Sequence, residues 1–205
     1  MKSEKANGSW IPQSGIIYLR NLDLSNRSLH QGLKYNLDMK SIRFVRYRPE
    51  YQEPMLALHR SAKEGLTIGI SEYDEEADLR AIEQVYLQSG GEFLVGLLDG
   101  EVIAMDGFQR LPNNSAELRR MRIRKDLQGQ GYGSQLLQEL ERAAFQSGIY
   151  KLSFETAKAR PLTLEFYRKH GYKETGTGFY GRVETVHFGK VLDETVYRVR
   201  DGNKV

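Results

Sequence analysis

Cysteine is absent from the 205 residues, so disulfide scaffolds, thiolate zinc sites and cysteine nucleophiles are all excluded. Long hydrophobic runs are missing too. The longest, Phe93 to Leu98, falls far short of the roughly 18 apolar residues that a membrane helix needs. The first ten residues, MKSEKANGSW, hold no apolar segment of the secretory kind. These absences lead us to expect a soluble cytoplasmic protein with no membrane partner. With 40% hydrophobic residues, a chain of this length can bury a core as one domain, or as one domain with an appendage.

Surplus charge is also missing from most of the chain. The pI is about 9.0 and the net charge +3. Residues 1–40 carry six basic side chains against three acidic ones, so the remaining residues balance. A nucleic-acid domain concentrates a basic stripe on its folded body, so this distribution argues against a nucleic-acid partner. Residues 1–40, rich in Ser, Asn, Gly and Lys and without sustained periodicity, read as an extension that is partly disordered or lies over the body. A start at Met39 is the alternative. The body is expected over 41–192, with a tail at 193–205.

From Ser41 the pattern is regular. A strand runs over Ile42–Tyr47, and helical spacing follows around Met55–His59, ending near Gly65. A second helix is expected from about Glu75 to Gln88. Two strands, Phe93–Leu98 and Val102–Phe108, meet at Asp99-Gly100, a hairpin signal. In the next strand, Ala116–Ile123, the apolar positions switch parity: Ala116 and Leu118, then Met121 and Ile123. One inserted residue, a β-bulge near Arg119-Arg120, would do this; a strand buried on both faces is the alternative. A helix with Leu136, Leu137, Leu140 and Ala144 inward, a strand at Lys151–Thr156, a helix from Pro161 to His170 and two last strands complete an α/β order with a mixed sheet.

Gln128-Gly129-Gln130-Gly131-Tyr132-Gly133 stands between a strand and an amphipathic helix. Glycines allow close backbone approach, and a helix N-terminus offers unpaired N–H groups to a phosphate. The run is no P-loop, which needs G-x-x-x-x-G-K-[ST]. It also fails the dinucleotide fingerprint, because the third glycine would fall on Ser134 or Leu136. The [Q/R]-x-x-G-x-[G/A] loop that cradles the pyrophosphate of coenzyme A is filled by Gln128, Gly131 and Gly133. A tight turn without ligand is the bland alternative.

The stretch AELRRMRIRKDLQGQGYGSQLL at 116–137, followed by EFYRKHGYKETG at 165–176, resembles the GNAT-type N-acetyltransferases. The resemblance spans about residues 41–192. It implies a GNAT-like, mostly antiparallel mixed central sheet flanked by helices, with its fourth strand bulged. It also implies acetyl-CoA as acyl-donor cosubstrate. On that reading Gln128, Gly129, Gln130, Gly131, Tyr132, Gly133 and Ser134 hold the pyrophosphate. Met121, Arg122 and Ile123 line the cofactor arm, the N–H groups of Met121 and Ile123 polarising the thioester. Glu117, eleven positions before Gln128, stands where family members carry a glutamate base; its alternative is a solvated carboxylate. Tyr167 matches the tyrosine beside the coenzyme sulfur and is the acid candidate, against a plain core tyrosine. Arg160 departs from the family's usual Asn seven residues before that tyrosine. Arg124 and Lys125 are near enough to meet the adenosine phosphates, or are surface charge.

The expected reaction is transfer of an acetyl group from acetyl-CoA to a primary amine by direct attack in a ternary complex. A non-catalytic acyl-CoA-binding sensor or partner module is the alternative. Five acids within Ser71–Arg80 (Glu72, Asp74, Glu75, Glu76 and Asp78) would draw a cationic acceptor, or simply favour a helix N-terminus. A homodimer is a state that such proteins often adopt. His30, His59, His170 and His187 have no metal spacing and read as structural or surface residues; no metal is expected. Gly69-Ile-Ser71-Glu-Tyr73 lacks the final glycine of a nucleophile elbow.

Overall fold

The computed structural model describes residues 41–62 and 76–197. Seven strands form one sheet: β1 Arg43–Arg46, β2 Glu92–Leu98, β3 Glu101–Leu111, β4 Ser115–Ile123, β5 Lys151–Ala157, β6 Lys173–Tyr180 and β7 Val183–Val191. Their spatial order is β1-β2-β3-β4-β5-β7-β6, and every neighbouring pair is antiparallel except β4 with β5. The Asp99-Gly100 signal is a real hairpin turn between β2 and β3, with positive φ at both residues. The expected extension at 1–40 lies outside the described residues, as do Glu72, Asp74 and Glu75.

The helices are α1 Gln52–Ser61, α2 Ala77–Arg80, α3 Tyr132–Gln146, α4 Pro161–Lys169 and α5 Glu194–Tyr197. Two apolar layers sandwich the sheet. On one face Leu136, Leu137, Leu140 and Ala144 of α3, with Leu164 and Tyr167 of α4, cover Ala104, Phe108, Leu118 and Phe154. On the other face Met55, Leu56 and Leu79 pack on Phe93, Val95, Leu97 and Met105. The odd and even residues of β2 serve different layers, which explains its unbroken apolar run. The expected second helix is broken. Ala81 leaves helical geometry (φ −128°, ψ 37°), and a π-type turn, Glu83–Leu87, follows. α5 lies within the expected tail and packs Tyr197 against the core. No helix among the described residues is long and apolar enough to cross a membrane.

The parity switch in β4 is a bulge. Pairing with β3 steps from Gly107↔Arg119 to Met105↔Arg122, so that Asp106 alone faces both Arg120 and Met121. Ala116 and Leu118 before the step, and Met121 and Ile123 after it, all face the α3/α4 layer. Arg120 carries the distortion at φ +75°, a left-handed conformation that a non-glycine residue adopts at some cost. Its guanidinium grips Asp78 at both oxygens, Nη2–Oδ1 at 2.7 Å and Nε–Oδ2 at 2.9 Å, and Asp78 also accepts the Tyr86 hydroxyl. The bulge is thereby tied to α2.

β4 and β5 pair over only three rungs, Ser115–Glu117 with Lys151–Ser153. Beyond them β4 continues to Ile123 and β5 to Ala157 with no rung between them, so the sheet opens into a V-shaped gap.

Burial works to raise the Asp78 pKa, but hydrogen bonds from Arg120 and Tyr86 outweigh it and hold the carboxyl below the usual range. Its contribution to stability is therefore present above the unfolded-state value near pH ~4 and is lost as pH falls through the folded-state pKa. The two side chains are 11% and 19% exposed, so screening is partial. Asp78→Asn is expected to lower unfolding free energy by about 2–3 kcal/mol at pH 7 in urea titrations. The difference from the unmodified protein should shrink in titrations at progressively lower pH.

Candidate active site

The glycine loop joins the open end of β4 to α3. Gly129 (φ +76°) and Gly131 (φ +88°) adopt left-handed backbone, which lets the chain reverse directly into the helix. The Gln128 side chain donates to the Ile123 carbonyl at 3.0 Å, and that of Gln130 to the Asp126 carbonyl at 3.1 Å. At the start of α3 the first-turn N–H groups, Gly133 and Ser134 among them, have no acceptor inside the helix. No acidic residue occupies that turn, so the positive helix end is left for an anion. A Cβ at Gly133 would make only ordinary contact with Phe166 and Met121, 3.5 and 3.6 Å away, so packing does not demand glycine there. A pyrophosphate fits this cradle. Arg124 is already engaged, by Asp126 and Glu101 at 2.9 Å each.

β4 supplies donors facing the gap. The Arg124 N–H points to β3, donating to Ile103 O at 2.8 Å. Strand N–H groups alternate in direction. Those of Ile123 and Met121 therefore point away from β3 into the gap.

Tyr167 reaches this region from α4. Its ring packs 3.9 Å from that of Phe154, and its hydroxyl donates to Met121 Sδ at 3.2 Å. Burial, with help from Asp106, pushes its pKa well above the ordinary phenol value, which keeps the hydroxyl a proton donor. Arg122 donates to the Met121 carbonyl at 2.7 Å; burial, then Arg160 and Arg120, push its pKa down to about 10.

Glu117 lies on the opposite face of the sheet, because its neighbours Ala116 and Leu118 both face the α3/α4 layer. It is half-exposed, with Arg119 Nε 4.0 Å away. It lines an open cleft of about 260 Å³ with Ser153, Glu155, Thr175 and His187 over Phe154. The structure thus groups Tyr167 with Met121 on one face, and Glu117 with other polar groups on the other, at one gap, while Arg122 alternates with Met121 and Ile123 along β4. It does not bring Glu117 into contact with Tyr167.

Three features escaped the sequence reading. Asp106 is wholly buried opposite the bulge, its Oδ1 accepting the Gly107 N–H at 2.9 Å and its Oδ2 without a partner among the described residues. An aspartate sharing parity with Ala104 and Phe108 in an apolar strand was the available signal. His170, which reads from sequence as structural or surface, has specific partners the sequence does not show: its Nε2 lies 2.9 Å from Ser134 Oγ and its Nδ1 2.7 Å from Phe166 O, stapling α4 to the loop. The expected acidic lip is partly neutralised, since Glu76 pairs with Arg60 and Arg80, and Asp78 with Arg120. Among the described residues no group of three or more His, Asp or Glu could hold a metal.

The Acetyltransferase (GNAT) family model matches residues 41–172. No curated protein matches the chain in sequence. Among solved structures, a GNAT-family acetyltransferase from Staphylococcus aureus Mu50 is similar at 24% identity and TM-score 0.68, covering 75% of this chain and 100% of its own. A ribosomal-protein-alanine N-acetyltransferase from Brucella melitensis is 21% identical with TM-score 0.62, over 73% of this chain and 99% of its own. An N-acetyltransferase from Thermoplasma acidophilum, solved in complex with coenzyme A, is 22% identical with TM-score 0.57, over 72% and 98%.

Burial pushes the Asp106 pKa well above the ordinary value, outweighing the Gly107 N–H and Arg122. A carboxyl raised in this way penalises folding above the unfolded-state value near pH ~4, increasingly until the folded-state pKa is reached. Asp106→Asn, permanently neutral, should gain stability over the unmodified protein as pH rises. The difference is expected to be absent near pH 4 and to grow toward pH 8 in paired thermal melts.

Proposed function

The chain belongs to the acetyltransferase (GNAT) family, and from that premise we propose that it acetylates a primary amine by direct attack, with donor and acceptor bound together. The observation that carries this reading is the gap between β4 and β5, bordered on one face by a buried phenol and on the other by carboxylates. Such an arrangement lets a donor and an acceptor meet from opposite sides. When bound, acetyl-CoA supplies the activated acyl carbon.

The residues divide the work by where they stand. The backbone N–H groups from Gly129 to Ser134 hold the pyrophosphate at the head of α3, that of Gln128 being turned to the Lys125 carbonyl. The N–H groups of Met121 and Ile123 aim at the carbonyl oxygen as it gains charge, fixed in advance by the strand. An alkylamine with pKa ~10 is about 0.1% neutral at pH 7, so nitrogen must lose a proton to react. Glu117 accepts a proton from it. Tyr167, kept protonated by burial, gives one to the departing sulfur. Met121 Sδ already accepts from that hydroxyl, so the position is one where a sulfur can receive it.

Mass spectrometry of a pooled amine library (polyamines, aminoglycosides, amino acids, peptides) incubated with acetyl-CoA tests the reading. An acetylated product is expected, with Tyr167→Phe reducing its rate about 10- to 100-fold and leaving coenzyme affinity unchanged. An undiminished rate in Tyr167→Phe would remove the acid role. Coenzyme binding without product would favour the silent binding module, and neither binding nor product would refute the loop assignment.

A further inference from the structure

The cleft beside Glu117 holds a second titratable pair. Glu155 of β5 and His187 of β7 face each other across a rung. His187 Nε2 lies 3.3 Å from Glu155 Oε2, and the same oxygen accepts the Thr185 hydroxyl at 3.3 Å. Glu117 pairs with Ser153, Glu155 follows two residues along, and His187 sits opposite it, so all four share one face. Ser153 is the last rung before the gap; the pair therefore stands alongside the open part.

The neighbouring strand makes room for the imidazole. Gly176 of β6 pairs with His187, and a Cβ on Gly178 would stand 2.8 Å from Nε2. Glycine weakens a strand interior, so this clearance carries a cost. Stability does not account for it: the side chains of His187 and Glu155 are 44% and 41% exposed, and an exposed ion pair contributes about 0–1 kcal/mol.

We propose that His187, oriented by Glu155, is a proton acceptor for the incoming ammonium group of the acceptor substrate. The inference rests on the acetyl-transfer reading above. An alkylammonium ion loses two protons on becoming an amide, one before the lone pair attacks and one as the C–N bond forms and the C–S bond breaks. Nε2–H directed at Glu155 leaves Nδ1 as the basic nitrogen. Nδ1 takes the first proton, the imidazolium is held beside the Glu155 carboxylate, and the proton leaves to water. Glu117 takes the second and passes it to water, the thiolate receives its proton from Tyr167, and a proton returned from solvent restores the phenol. The sum is ammonium plus thioester giving amide, thiol and one proton released. The charged groups around the imidazole are Glu155 on β5 and Glu117 on β4, both favouring a cationic acceptor over a neutral or anionic one.

The test uses the full chain, acetyl-CoA and whichever alkylamine in the pool is acetylated, beside a weakly basic analogue already neutral at assay pH. His187→Ala should lower kcat/KM for the alkylamine by about 10- to 100-fold with the KM for acetyl-CoA unchanged. The loss should be under threefold for the weakly basic amine, and added imidazole should restore part of the alkylamine rate. His187→Gln, which retains bulk, should show the same selective loss if the alanine variant melts early. Equal losses for both amines without imidazole rescue, or rates within twofold of the unmodified protein, would overturn the proposal and leave acetyl transfer standing. No product from any amine with the unmodified chain would overturn both, and the coenzyme's effect on Tm would then report separately on the loop.

Discussion

One inserted residue in β4 is the constraint on which the site geometry depends. A strand that kept its phase past Leu118 would turn Met121 and Ile123 to the α1/α2 face. With the insertion, both side chains rejoin the α3/α4 layer, beside Tyr167, and their N–H groups turn toward the gap. The distortion is not self-supporting. Arg120 sits in left-handed backbone, and the fork of its guanidinium on Asp78, itself bonded to Tyr86, fixes it to an element more than forty residues away. The geometry of the bulge is thus coupled to α2.

The gap gives the two faces of the sheet different dielectric surroundings, and this sorts the proton chemistry. Tyr167 lies in the packed layer, where loss of water disfavours the phenolate and preserves a donor. Glu117, Glu155 and His187 line an open cleft, where charge is hydrated and protons can leave to solvent. On the proposed reading, the group that would give a proton to sulfur is kept dry, and those that would pass protons to water are kept wet. No single pocket could meet both requirements.

Local signals were legible in the sequence where one stretch of chain sufficed to produce them. The Asp99-Gly100 turn, the glycine loop and the parity switch each follow from local backbone geometry, and each stands where it was expected. Periodicity misled at the second helix: Leu79, Ile82 and Tyr86 do face one layer, but through a short helix and a π-type turn separated by the break at Ala81. What stayed hidden is non-local. The V-shaped gap is an absence of rungs between strands 27 residues apart in sequence, and no composition encodes it. His187 reads from sequence as a structural or surface histidine, because only the sheet order sets it against Glu155 and across from the glycines of β6.

The pattern of polar satisfaction adds a last argument about where this fold is unfinished. Away from the gap, buried charge is fully answered: Glu141, 2% exposed, takes Lys190 Nζ at 2.7 and 2.8 Å and the Tyr197 hydroxyl as well. Around the gap two buried polar atoms, Asp106 Oδ2 and Arg160 Nε, have no partner among the described residues. Each such atom costs about 1–3 kcal/mol, and backbone strain at Arg120 adds about 1–3 more. The Tyr172 hydroxyl, close to Glu141, is likewise buried without a partner among the described residues, so such atoms are not confined to the gap. At Arg160, where the resemblance to the GNAT family implies an asparagine, the buried Nε belongs to a guanidinium rather than an amide.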